Sequence, residues 1–144
     1  MKIQALGHVV IRVTDIARAE RFYGDLLGLP ICARMEPGGP KMTFFSLGDH
    51  HDFAVMETPG DPAQPTGPGL HHVAFRIGDS LEQLREARAK LEAAGVATTP
   101  IDHEVSKSLY IADPDGNGVE LYVDGSDSWK QDPQRVAQIA PLEL

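Results

Sequence analysis

His8, His72 and Glu120 are the side chains whose types and spacing could hold a metal ion. The stretch Gly7-His8-Val9-Val10-Ile11-Arg12-Val13-Thr14-Asp15 recurs as His71-His72-Val73-Ala74-Phe75-Arg76-Ile77-Gly78-Asp79, a constant 64 residues later. A chain built from two copies of one unit brings the matched histidines together across a pseudo-twofold axis. Further on, Tyr110-Ile111-Ala112-Asp113-Pro114-Asp115-Gly116-Asn117-Gly118-Val119-Glu120 reads as a hairpin, with Asp-Pro-Asp-Gly-Asn as its turn. If Asp113 faces Asn117, Tyr110 faces Glu120, and cross-strand partners share a face at roughly 5 Å between Cβ atoms. The strand period sends Val119, Leu121 and Val123 to the core and Glu120 to the face that the histidines share. Two neutral imidazoles and one carboxylate form a facial triad that holds Fe(II) and leaves positions open for substrate and oxygen. The 64-residue offset applied to Glu120 lands on Met56, a poor ligand for a hard ion, with Glu57 next to it on the opposite face. His71 is the rival of His72, but its parity matches the core side, which makes it a supporting or structural residue.

The elements that must position these side chains follow the same repeat. Val9, Ile11 and Val13 alternate with more polar neighbours as in a half-buried strand. Asp15 is the expected N-cap of a helix over Ile16 to Leu27 that stops at Gly28. Leu29 to Arg34, Met42 to Leu47 and Asp52 to Glu57 read as strands, separated by the turn-prone runs Pro37 to Pro40 and Gly48-Asp49. The second copy repeats this order, with Val73, Phe75 and Ile77 on the core face and a Ser80/Gln83 capping box. Its helix carries Leu84, Ala87, Leu91 and Ala94 and ends at Gly95, and strands follow at Ala97 to Thr99, Ser108 to Ala112 and Val119 to Val123. The expectation is an α+β fold of two tandem βαβββ modules, with helices outside a bowl-shaped mixed sheet. Module 1 spans 3–57, the Pro/Gly-rich linker 58–69, module 2 70–124 and a tail 125–144 that contributes a short helix. Val10, Phe44, Phe53, Ala74 and Tyr122 are candidates to line the bowl.

Composition narrows the function classes. The 144 residues suffice for one domain with a real core, and 42% hydrophobic with 24% charged residues is ordinary for a globular protein. A net charge of −8 with no basic cluster excludes nucleic acid as a partner. No run approaches the ~20 apolar residues of a membrane span. The lone Cys32 cannot form an internal disulfide, and the N-terminus lacks an apolar signal core, so a cytoplasmic protein is expected.

At these residues the chain resembles the vicinal oxygen chelate superfamily, which is built from paired βαβββ modules and includes glyoxalase I, epimerases, antibiotic-resistance proteins and extradiol dioxygenases. The resemblance covers about residues 3 to 124 and is greatest to catechol 2,3-dioxygenase-like proteins. It is carried by His8, His51-Asp52-Phe53-Ala54, Leu70-His71-His72-Val73-Ala74-Phe75, His103-Glu104-Val105-Ser106 and Tyr110 through Tyr122. It implies that His8, His72 and Glu120 bind Fe(II), alternatively Mn(II) or another divalent metal. It also implies that His51 interacts with oxygen and substrate, and that His103 and Tyr110 complete the catalytic set. Taken singly, His51 and His103 read as solvated loop residues and Tyr110 as a strand aromatic; their joint occurrence with the triad is what narrows the reaction. The implied activity is ring cleavage of a small catechol-like aromatic with O₂, by a homodimer. The alternatives are a glyoxalase- or epimerase-type isomerase or lyase, which wants a second carboxylate, and a non-catalytic small-molecule binder. The same scaffold hosts many chemistries.

Overall fold

The computed structural model describes residues 5–35, 38–48, 51–61 and 70–144. Most of the expected linker, and Pro37 and Asp49 of the expected turns, lie outside the described residues. The chain forms two compact units: Met1–Gly67 with the turn Asp113–Asn117, and Pro68–Ala112 with Gly118–Leu144.

The first unit runs β1 (Val9–Val13), α1 (Ile16–Glu20), a π-helical turn (Arg21–Leu26), β2 (Ile31–Arg34), β3 (Met42–Phe45) and β4 (Phe53–Glu57). Its sheet has the order β1-β4-β3-β2. β1 and β4 are parallel and the other pairs antiparallel, as the helical crossover after β1 requires. Asp15 caps α1 by accepting from the Arg18 amide at 2.9 Å. The expected single helix to Leu27 is present over the same residues but widens after Glu20, where the Leu27 amide donates to the Phe22 carbonyl at 2.9 Å. Gly28, at φ +83°, ends it in the left-handed conformation that favours glycine. Phe22 and Tyr23 from this turn are buried, and the Tyr23 ring centre lies 4.8 Å from that of Phe53 and 5.0 Å from that of Phe22. Phe53, expected to line the bowl, is therefore core, because it shares the strand parity of Val55.

Tyr23 is fully buried, and its hydroxyl donates to Asp113 Oδ2 at 2.9 Å. Burial pushes its phenol well above the ordinary value of 10.0, and the Asp113 carboxylate adds to the shift. A folded-state value raised above the unfolded one gives stability that is present below about pH 10 and lost as the pH rises beyond it. Thermal melts across that range are expected to fall, with a shallower alkaline decline in Tyr23→Phe.

The second unit runs β5 (Val73–Gly78), α2 (Leu81–Ala93), β6 (Thr99–Asp102), β7 (Ser106–Ala112), β8 (Gly118–Asp124) and β9 (Ala140–Pro141), with the sheet order β5-β8-β7-β6-β9. The capping box is formed: Gln83 Oε1 accepts from the Ser80 amide at 3.1 Å, and Ser80 Oγ accepts from the Gln83 amide at 3.4 Å. Leu84 and Leu91, two turns apart, bury the inner stripe of α2. The strand expected at 97–99 instead occupies Thr99–Asp102. Pro100 is tolerated there because β9 pairs only with Ile101 and Asp102, leaving Pro100 at an open edge. In place of one short helix, the tail forms two 3₁₀ turns, Ser128–Lys130 and Pro133–Ala137, before β9 joins β6. Among the described residues no helix is long and apolar enough to cross a membrane.

Candidate active site

In the second unit the parallel register pairs Ala74 with Glu120, and the antiparallel register pairs Tyr110 with Glu120, as the hairpin pattern predicts. Closure of that hairpin by the Asp113 amide on the Asn117 carbonyl at 2.9 Å sets the pairing. Glu120 is 8% exposed, and its two oxygens are used separately. Oε1 accepts from the buried Ser108 hydroxyl at 2.6 Å, and Oε2 lies 3.0 Å from His72 Nε2. A metal holding one nitrogen and one oxygen at about 2.1 Å and a right angle keeps those atoms about 3 Å apart, so this pair fits a divalent ion without rearrangement. Ligation through Nε2 needs the hydrogen on Nδ1, and His71 Nδ1, 2.7 Å from His72 Nδ1, can accept it. His71 thus contacts the candidate ligand as expected, but it is exposed and not on the core side. Among the described residues no group of three or more His, Cys, Asp or Glu side chains stands ready to hold a metal; the second unit contributes a converging pair.

Tyr110 and His103 stand beside that pair. The rings of His72 and Tyr110 meet edge to face at 5.3 Å, and the Tyr110 hydroxyl lies 3.0 Å from His103 Nε2. His103 Nδ1 lies 2.9 Å from the Gln138 carbonyl, an oxygen that can only accept. The hydrogen of a neutral His103 is therefore on Nδ1, and Nε2 receives the Tyr110 O–H. Burial, and then the Glu120 carboxylate, push the Tyr110 phenol up to about 12, so it remains a protonated donor at neutral pH. These side chains open into a cleft of about 390 Å³ that Tyr122, Trp129 and Val136 also line.

In the first unit, the rings of His8 and His51 lie 4.3 Å apart, and Phe44 meets His51 edge to face at 5.3 Å. β1 pairs Val10 with Ala54, and β3 pairs Phe44 with Ala54. These pairings repeat those of Ala74 and Tyr110 with Glu120, so the counterpart of Glu120 is Ala54 and not Met56. The side chain at that position carries no atom that could ligate a metal.

The sequence reading missed Ser108 and Gln138. Ser108 has the strand parity of Tyr110, a signal that was there to be read, whereas Gln138 acts through its backbone, which no residue type announces. Removing the Ser108 hydroxyl leaves Glu120 Oε1 buried without that donor. Ser108→Ala is expected to weaken divalent-metal affinity by about 10–100-fold, measured by competition with a chelating dye, with little change in the melting temperature.

Two sheets of repeated topology, each opening beside a histidine at the start of its first strand, define a two-module α+β fold with a polar site in the second module. A family model for the Glyoxalase/Bleomycin resistance protein/Dioxygenase superfamily matches residues 5–121, and the chain belongs to that superfamily. It is similar to a catechol-2,3-dioxygenase of Bacillus subtilis (strain 168), at 30% identity over 88% of this chain and 44% of that protein. It is also similar to the glutathione transferase FosA of Serratia marcescens, at 28% identity over 84% and 82% of the two chains. The chain spans 44%, 62% and 63% of the length of three dioxygenase relatives. Among solved structures, a glyoxylase/bleomycin resistance protein/dioxygenase domain from Frankia sp. EAN1pec superposes with a TM-score of 0.72. That match has 23% identity over 85% of this chain and 99% of the other, a likeness of fold.

Proposed function

We propose that this chain is an extradiol-type dioxygenase that opens the ring of a catechol-like aromatic beside its hydroxyl pair, using O₂ and a divalent metal, Fe(II) in this reading. His72 and Glu120 hold the metal, and His8, the counterpart of His72 in the sequence repeat, is assigned as the third ligand. Bound there, the ion supplies a Lewis-acidic and redox-active centre open to the substrate oxygens and O₂. The observation that carries the reading is the couple formed by Tyr110 Oη and His103 Nε2, 3.0 Å apart and next to Glu120.

A catechol must lose protons as it binds, and this couple gives one of them a path. Tyr110 Oη takes the proton of a substrate hydroxyl while its own hydrogen passes to His103 Nε2. The imidazolium so formed keeps its Nδ1–H on the Gln138 carbonyl, which stabilises the charge. His51 is assigned as the acid on the oxygen side, a role an imidazole can fill by donating a proton from a ring nitrogen. A redox-neutral isomerase wants a second carboxylate, and Ala54, the register counterpart of Glu120 in the first unit, provides none.

Oxygen uptake by protein reconstituted anaerobically with Fe(II) and then given a panel of catechols tests the proposal. The expected products are ring-opened semialdehydes cleaved adjacent to the hydroxyls. Cleavage between the hydroxyls, or turnover only in thiol transfer or isomerisation with no oxygen uptake, overturns it.

A further inference from the structure

We infer that the tail, residues 126–141, is the wall of the substrate cleft that recognises an apolar, ring-bearing substituent on the catechol, with Trp129 and Val136 as its contact residues. The inference rests on the ring-cleavage reading for the catechol end of the ligand; the wall itself is argued from the tail's own contacts.

The tail is tied back onto the turn that carries His103. The Gly125 and Ser126 amides donate to the Val105 carbonyl at 2.8 and 3.1 Å. Arg135 pairs with the Glu104 carboxylate, the Gln138 carbonyl meets His103 Nδ1 at 2.9 Å, and β9 adds to β6 through Ile101 and Asp102. These attachments lie on both sides of Trp129 and Val136. They hold two large apolar side chains at the cleft, 43% and 57% exposed, although water contact with such surface is unfavourable.

The cleft lining is of two kinds: Glu120, Tyr110 and His103 supply acceptors and a donor, while Trp129 and Val136, with the ring of Tyr122, supply apolar and aromatic surface. The remaining charge, Asp124, is paired with Arg76 at 3.0 Å, which leaves a lining suited to a neutral substituent. A volume of about 390 Å³ lies in the range of pockets that enclose ligands larger than a single ring. The wall lies beyond residue 121, where the match to the superfamily ends.

The chain contains one tryptophan, so its fluorescence reports on the wall directly. Metal-loaded protein kept free of oxygen is titrated with 2,3-dihydroxybiphenyl and with unsubstituted catechol, and saturable quenching is expected at lower concentration for the biphenyl. In aerobic kinetics, Trp129→Ala and Val136→Asp are each expected to lower the ratio of kcat/KM for 2,3-dihydroxybiphenyl over catechol by about tenfold. Trp129→Phe, which keeps a ring, is expected to restore most of that ratio. An unchanged ratio in both damaging variants overturns the wall even when catechols are cleaved. Saturable quenching that Val136→Asp abolishes, without cleavage of any catechol, supports the wall and overturns the ring-cleavage reading alone.

Discussion

His72→Ala is expected to yield a folded protein that retains no divalent metal after dialysis, whereas His51→Ala keeps its metal and loses turnover. The two histidines differ in what their side chains meet. His72 Nε2 stands 3.0 Å from Glu120 Oε2, the spacing of adjacent ligands on one ion, and its removal takes away half of that pair. His51 packs its ring on His8 and Phe44, and the reading assigns it a proton rather than a coordination bond. Loss of a general acid costs about 10²–10⁴-fold in rate and leaves ligand atoms where they were. The His72 side chain is 29% exposed, so its truncation opens no sealed cavity, and the melting temperature should shift by no more than a surface substitution would cause. Metal content by mass spectrometry, set beside kcat, separates the two roles. Equal metal loss in both variants overturns the division, as does full metal retention in His72→Ala.

What could be read from the sequence follows from which physical signals are local. The repeat around His8 and His72 marks two strands because alternation is a nearest-neighbour property, and β1 and β5 lie where it places them. Tyr110 opposite Glu120 was legible for the same reason, since the Asp-Pro-Asp-Gly-Asn turn fixes the register of its own hairpin. The counterpart of Glu120 was not legible. Phe53 follows Val9 by 44 residues and Val119 follows Val73 by 46, a difference that enters at the helical crossover, where Leu81–Ala93 is two residues longer than the helical span 16–26. A constant offset therefore slides from Ala54 to Met56, two residues along one strand face, and only the cross-strand register reveals it. The tail escaped for a related reason: single 3₁₀ turns are too short to show a hydrophobic period, and the Gln138 contact is made by a carbonyl. The pairing of Tyr23 with Asp113, 90 residues apart, leaves no trace in either local pattern.

Asp113→Ala is expected to be the most destabilising single substitution in this hairpin, although Asp113 belongs to a turn. Its carboxylate is 5% exposed and accepts four hydrogen bonds: the Asp115 and Asn117 amides at 2.9 and 2.8 Å on Oδ1, and the Tyr23 hydroxyl and Asn117 Nδ2, each at 2.9 Å, on Oδ2. Alanine leaves the Tyr23 hydroxyl without its acceptor in a core that water does not reach, and leaves two turn amides to find new partners. Orphaned buried donors cost about 1–3 kcal/mol each, so a loss of about 3–5 kcal/mol is expected, with the melting temperature lower by on the order of 10 °C. Tyr23→Phe removes the donor together with its demand and should cost far less, because the carboxylate keeps three partners. The pair must then be strongly non-additive: once Tyr23 is phenylalanine, Asp113→Ala should cost less than it does in the parent chain. Denaturant unfolding of the four proteins measures that coupling. Additive losses would mean that Asp113 acts through its own turn alone, and the link to Tyr23 would be incidental.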